Sequence, residues 1–229
     1  GDPTKIVQSV EVHMAILKNS GLKLMCLCSG DLVLAPNHFA TKLDGKYGDV
    51  EMITRWGTFI LKQPILVKHF EGTDLVAFRL PSDFPTIRKL KAFRVPKQGE
   101  SVVLVFLERT KRGIETKCSV ETTIRRGSDQ LWRYNLETKP GQCGGLVLAL
   151  TDGHIVGTHT GVSHGFFGTC AVFSPINNEI IAFVKEQNIQ EIVKPWCFNP
   201  EILPWQHVSR IEPTGTLPYL DSIMSFLYQ

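Results

Sequence analysis

What this sequence lacks narrows the choice of fold before any motif is considered. No uninterrupted apolar run approaches the roughly 20 residues that a bilayer-spanning helix needs. Its opening stretch, Gly1-Asp2-Pro3-Thr4-Lys5, has neither the basic nor the apolar region of a secretory signal. The expectation is a chain with no membrane association and no mark for secretion. Cysteine is sparse, six in 229 residues with no Cys-x-x-Cys pair, which argues against a disulfide scaffold and for a reducing compartment where thiols stay free. Long blocks of like charge are missing: 25 Lys and Arg stand against 22 Asp and Glu, for a net charge of +3. That surplus permits weak attraction to nucleic acid without marking a footprint, which needs clustered basic residues. Sustained 3.6-residue periodicity is nearly absent too, so a helical bundle is excluded.

What is present is a succession of short apolar or alternating segments separated by turn residues, in a chain that is 43% hydrophobic and 21% charged. Val10 to Leu17 and Leu22 to Cys28, joined by Asn19-Ser20-Gly21, predict a hairpin. Leu32 to Ala35, Val50 to Ile53, Gly57 to Lys62, Ile65 to Phe70 and Asp74 to Leu80 continue a first β series. A second runs through Ser101 to Leu107, Ile114 to Ile124, Leu131 to Leu136, Gly145 to Leu150, His154 to Thr158 and Thr169 to Phe173. Between them, Pro81, Pro85 and Pro96 suit an exposed connector better than central strands. Asn178 to Gln187 is predicted as a short helix, with Glu179 in its first turn, and Tyr219 to Leu227 as a second. The expected architecture is all-β: an N-terminal β-barrel over 1–80, a connector over 81–100, a C-terminal β-barrel with a short helix over 101–187, and a C-terminal extension over 188–229.

The stretch Thr138-Lys139-Pro140-Gly141-Gln142-Cys143-Gly144-Gly145 carries the chemistry. A cysteine among glycines, in a turn between two strand-like runs, can expose a thiol and bring backbone N–H groups close to a reacting oxygen. Taken alone, the turn also fits a buried structural thiol. A thiol that attacks a carbonyl needs a base, and a group to orient that base. His38 ends an apolar strand in a Pro36-Asn37-His38 turn, where its ring can point into a cleft. Asp74 sits at the mouth of the apolar run Leu75-Val76-Ala77-Phe78, where a carboxylate must be hydrogen-bonded, an imidazole being one natural partner and a turn cap the other. Cys26 and Cys28 share one strand face and are expected as core packing, as are Cys118, Cys170, Cys197 and the four tryptophans. Lys111-Arg112 and Arg125-Arg126 fit solvated hairpins, with weak RNA binding as the other reading.

His38, Asp74 and Cys143 stand in the order His, Asp, nucleophile, the first two in the first β series and the third in the second. With Gly141-Gln142-Cys143-Gly144, Ile155-Val156-Gly157-Thr158-His159, Gly72-Thr73-Asp74-Leu75-Val76 and Trp196-Cys197-Phe198-Asn199, that order resembles the chymotrypsin-like cysteine proteases of positive-strand RNA viruses, most closely the nuclear inclusion a proteases of the potyvirus family. The resemblance runs from about residue 8 to the end of the chain. It implies two chymotrypsin-like antiparallel barrels and a viral polyprotein substrate cleaved after glutamine. It also implies a site in the host-cell cytoplasm and, secondarily, the nucleus. In such an enzyme Cys143 is the nucleophile, His38 the general base and acid, and Asp74 the orienting carboxylate. The backbone N–H groups of Gly141, Gln142 and Cys143 form the oxyanion hole, and neither metal nor cofactor is required. His159 and Thr138 would bind the glutamine side chain. The strand after His159, with Gly161, His164, Phe166, Phe167, Cys170 and Val172, would wall the upstream subsites. Pro140 departs from the acidic residue that relatives often carry there. If the enzyme releases its own C-terminus, the tail ending in Gln229 is a product. An RNA-binding module on the same scaffold is the alternative from another functional class.

Overall fold

The structure is a computed structural model that describes residues 3–19, 22–38, 49–62, 64, 66–80, 84, 87–90, 92–127, 129–165, 168–186, 196–199 and 205–210. A helix α1 (Pro3–Glu11) precedes seven strands: β1 (Met14–Asn19), β2 (Leu22–Ser29), β3 (Leu32–Pro36), β4 (Val50–Thr54), β5 (Gly57–Leu61), β6 (Leu66–Phe70) and β7 (Leu75–Arg79). The second half holds β8 (Ser101–Thr110), β9 (Gly113–Cys118), β10 (Thr122–Arg126), β11 (Trp132–Tyr134), β12 (Leu146–Ala149), β13 (Ile155–Gly165), β14 (Gly168–Pro175) and helix α2 (Asn178–Glu186). The extension adds β15 (Trp196–Asn199) and β16 (Trp205–Arg210).

These strands form two eight-stranded sheets, β15-β5-β4-β1-β2-β3-β7-β6 and β10-β11-β14-β13-β12-β8-β9-β16. In the second, Thr122 of β10 also pairs with Val102 of β8, which closes β8, β12, β13, β14, β11 and β10 into a six-stranded barrel. The first sheet has no such closing pair among the described residues. Among the described residues the strand pairings are antiparallel except that of β16 with β9, and an isolated parallel bridge joins Phe93 to Ile155.

The two-residue period of β2 organises the core. Leu24, Cys26 and Cys28 face inward with Val33, Val50, Met52, Phe59 and Phe78, while Met25 and Leu27 join Leu104, Val105, Phe106 and Leu146 of the second unit. Alternation sends successive side chains to opposite faces, so a strand buried on both sides serves two cores. Cys26 and Cys28 are core residues, as expected.

Five expectations are corrected. The segment before β1 is a helix, because Pro3 suits a first helical position and Val7 and Val10 are buried one turn apart. Ile114 to Ile124 is two strands broken at Ser119, whose hydroxyl donates to the Val120 carbonyl and accepts from the Leu104 N–H, both at 2.8 Å; that corner turns β10 toward β8. The connector is not an exposed linker: Phe84, Ile87, Leu90 and Phe93 are buried, and Arg94 bonds both Glu100 (2.7 Å) and Asp152 (2.7 Å). Trp56 lies on the β4–β5 turn, 38% exposed, rather than in the core. The strand expected over His154 to Thr158 runs instead from Ile155 to Gly165, and Tyr219 to Leu227 lies outside the described residues.

Several contacts bind the two units at their seam. The Met25 N–H donates to the Cys143 carbonyl at 2.9 Å. Lys68 of β6 pairs with Glu179 of α2 at 2.8 Å, and Phe70 meets Phe183 edge-on at 5.3 Å. Gly144 sits against this seam with φ +88°, and a Cβ there would lie 1.9 Å from the Met25 carbonyl oxygen. Gly144→Ala therefore forces both a strained backbone and a backbone clash. It is expected to cost more than about 1 kcal/mol, and thermal unfolding should show a melting point at least about 2–4 °C lower; an unchanged melting point would contradict the close approach.

Candidate active site

Three sequence segments distant from one another converge at the seam. His38 lies in a helical stretch directly after β3, 6% exposed, and Asp74 immediately precedes β7. Each polar group of Asp74 has a partner. Oδ2 meets His38 Nδ1, Oδ1 accepts from the His38 N–H at 3.0 Å, the carbonyl accepts from the Asn37 N–H at 2.9 Å, and the N–H donates to Ser174 Oγ at 2.8 Å. The imidazole of His38 also interacts with the side chain of Cys143. Burial acts to lower the His38 pKa, but the hydrogen bond to Asp74, followed by Cys143, overrides it and holds the imidazolium up to about 10.

Cys143 is 1% exposed, and its Sγ donates to the Thr160 carbonyl at 3.2 Å. Thr160 is the extra residue of a β-bulge, since His159 pairs with Phe173 and Gly161 with Val172. A bulge interrupts the ladder and re-aims the strand beside it. The Cys143 turn is itself anchored to β13: the Gly144 N–H bonds the His159 carbonyl and the His159 N–H bonds the Gly145 carbonyl, both at 2.8 Å. Gly141 has φ +90°, the left-handed conformation that favours glycine. The expectation for Gln142 needs adjustment, because its N–H already donates to the Lys139 carbonyl at 3.2 Å while its Oε1 accepts from the Lys139 N–H at 2.9 Å. Gln142 braces the turn, and the N–H groups of Gly141 and Cys143 remain as its uncommitted donors among the described residues.

His159 lies beneath this turn, 1% exposed. Its Nδ1 meets the Tyr134 hydroxyl at 2.5 Å. Burial pushes the Tyr134 phenol well above its usual range, so it keeps its proton and donates. Burial, and then the charge on His38, lower the His159 imidazole to about 3. The ring is thus neutral, accepts at Nδ1 and carries its proton on Nε2. That Nε2 and the Oγ1 of fully buried Thr138 have no hydrogen-bond partner among the described residues. Buried polar atoms are rarely left so, and two within the elements that flank Cys143 mark a place for a polar group from outside the chain.

The structure therefore brings His38, Asp74 and Cys143 together, and sets His159, Gly161 and Val172 on paired stretches of β13 and β14. Val172 is fully buried, whereas Cys170 is half-buried and lies opposite Ser163, farther along the hairpin. The side chains of His164, Phe166 and Phe167 fall outside the described residues, as do those of Cys197, Trp196 and Trp205. Lys111-Arg112 and Arg125-Arg126 are exposed on separate hairpins. Sequence reasoning missed Tyr134, Thr160 and the brace from Gln142. The alternation of Trp132, Arg133 and Tyr134 would have placed Tyr134 inward, but nothing in the sequence ties it to a histidine 25 residues on.

Two β units packed across a seam, with a histidine held between a carboxylate and a thiol, define a chymotrypsin-like cysteine peptidase. Residues 6–222 match Peptidase family C4, and the chain belongs to that family. It is 29% identical over 225 residues to the genome polyprotein of Triticum mosaic virus, covering 94% of this chain and 7% of the polyprotein. It is 36% identical over 155 residues to that of Blackberry virus Y, covering 67% and 4%. The chain thus spans only a small part of the length of these curated relatives. In fold it is similar to the catalytically active tobacco etch virus protease complexed with product, with a TM-score of 0.72 and 21% identity, covering 88% of this chain and 87% of that one. It is also similar to the tobacco vein mottling virus protease, with a TM-score of 0.68 and 21% identity, covering 86% and 92%.

The raised pKa of His38 makes stability depend on pH. In the folded state the imidazole holds its proton up to about 10, against an ordinary value of 6.5. The contribution is fully present below 6.5 and is lost as pH rises through 10. Urea unfolding is expected to show stability falling across that alkaline window, and falling less steeply in His38→Ala; parallel slopes in the two proteins would remove His38 as the cause.

Proposed function

We propose that Cys143, His38 and Asp74 form the catalytic triad of this cysteine endopeptidase, and that it cuts a viral polyprotein after glutamine. The observation that carries the reading is the His38 imidazole, held by Asp74 on one side and engaged with Cys143 on the other. In the reactive form the Cys143 thiol has given up its proton while His38 keeps its own as the imidazolium; the thiolate attacks the scissile carbonyl, and the oxygen gains negative charge. The Gly141 and Cys143 N–H groups are the donors placed to receive that charge, and one such donor is typically worth about 10²–10³ in rate. The C–N bond then breaks as His38 returns the proton to the leaving amine, leaving a thioester on Cys143. Water, deprotonated by His38, attacks the thioester, and the C–S bond breaks to restore the thiolate beside the imidazolium. Asp74 holds the ring in register and stabilises the imidazolium as it forms.

For the residue before the scissile bond, the unpartnered Nε2–H of His159 offers a donor to an amide oxygen, and the Thr138 hydroxyl offers a second polar contact. A glutamine amide satisfies both. Leucine would leave them unpaired, and glutamate would have to bury a charge beside a neutral imidazole. Tyr134 fixes the tautomer this requires. A polyprotein substrate is supported by the relatives, in which the matching segment is a small part of a genome polyprotein.

Steady-state cleavage of a peptide whose upstream half ends in Phe-Leu-Tyr-Gln tests the reading. Cys143→Ala and His38→Ala should each abolish turnover, and Asp74→Asn should lose about 10⁴ in kcat; full activity in any of them would remove that residue from the triad. Peptides with Leu or Glu in place of Gln should be cleaved at least about 10²-fold less efficiently. Tyr134→Phe should raise KM for the Gln peptide and narrow its advantage over Leu, and equal selectivity to the parent enzyme would show that the phenol does not set the tautomer.

A further inference from the structure

The polar groups of Asp74 divide between the two units unequally. Its carbonyl and both carboxylate oxygens are held by Asn37 and His38, residues of the first unit. Its N–H alone reaches across the seam, to Ser174 Oγ at 2.8 Å. The preceding turn is closed on itself, because the Thr73 hydroxyl donates to the Phe70 carbonyl at 2.7 Å and accepts from the Leu75 N–H at 3.2 Å. Ser174 is fully buried on β14, paired with Thr158 and adjacent to Phe173. The ring of Phe173 stands edge-on to Tyr134 at 5.2 Å, and Tyr134 in turn bonds His159. One hydroxyl thus links the strand behind the His159 pocket to the backbone of the carboxylate that holds His38.

We propose that Ser174 is a positioning residue: through the Asp74 N–H it fixes the carboxylate against His38, so that the second unit sets the geometry of an acid–base pair carried by the first. This rests on the reading of Asp74 as the orienting carboxylate. The Lys68–Glu179 ion pair and the Phe70–Phe183 contact hold the same turn to α2 independently, so loss of the hydroxyl leaves the seam closed. What it removes is the acceptor for one part-buried N–H. An unsatisfied group of this kind drives a local shift, and a small misplacement of a catalytic group falls on the rate of the chemical step rather than on substrate binding.

A double-mutant cycle separates this role from a merely structural one. For the Gln peptide, Ser174→Ala is expected to lower kcat about 10–100-fold with KM within about twofold, and Ser174→Thr, which keeps the hydroxyl, to recover most of that loss. In an Asp74→Ala background the same Ser174→Ala change should have little further effect, because the carboxylate it positions is gone. The pH dependence of Cys143 alkylation by iodoacetamide, followed in the same variants, reads the His38–thiol pair where turnover is too slow. If Ser174→Ala melts below the assay temperature, Ser174→Cys, a similar volume with a weaker acceptor, is read in its place. An unchanged kcat in Ser174→Ala, or an equal loss in both backgrounds, overturns the proposal while leaving the triad intact. A parental rate in Asp74→Ala overturns the reading of Asp74 and this proposal with it.

Discussion

The arrangement of this molecule depends on one backbone hydrogen bond, from the Met25 N–H to the Cys143 carbonyl at 2.9 Å. It brings the central strand of the first sheet into direct contact with the turn that carries the thiol, and it leaves no space for a side chain at residue 144. On its other side the same turn is laced to β13 through Gly144, His159 and Gly145. Cys143 is therefore located by main-chain bonds to both units, and its distance from His38 is a property of how the sheets pack. This also reconciles two readings of the cysteine. It is buried among the core residues of the first sheet, as a structural thiol would be, and it faces the imidazole.

Two buried histidines show how partners, rather than burial, decide a charge state. Desolvation acts to lower both. His38 has a carboxylate and a thiol beside it and is held protonated to about 10, whereas His159 has only a phenol and the field of His38 and falls to about 3. That separation suits the roles proposed for them, proton transfer at His38 and hydrogen-bond recognition at His159.

The strands of both sheets were legible because an antiparallel sheet with a buried face writes a two-residue period into the sequence, as in Leu24, Cys26 and Cys28 against Met25 and Leu27. The order His38, Asp74, Cys143 was legible because it survives in the chain whatever the loops between. Features that depend on contacts across long separations were not. The end of α1, Val10 and Glu11, reads as strand in the sequence because Val10 and Val12 run into β1 without a turn signal. The break at Ser119 was hidden by continuous β-forming residues, and it shows itself only in the bonds Ser119 makes to β8 and Val120. The connector looked like a linker from its prolines, yet its intervening Phe84, Ile87, Leu90 and Phe93 are core residues. Tyr134 carried no signal because a tautomer is set by whichever group lies next to the ring.

The extension gives each sheet one more strand, and β15 joins β5 through Trp196 and Leu61, 135 positions apart in the chain. Contacts of such separation form late, because a long loop must close before they repay it. During synthesis the β5 edge of the first sheet therefore stands unpaired until residues 196–199 have been made. A segment that emerges long after the histidine and the carboxylate thus covers one edge of the sheet that holds them.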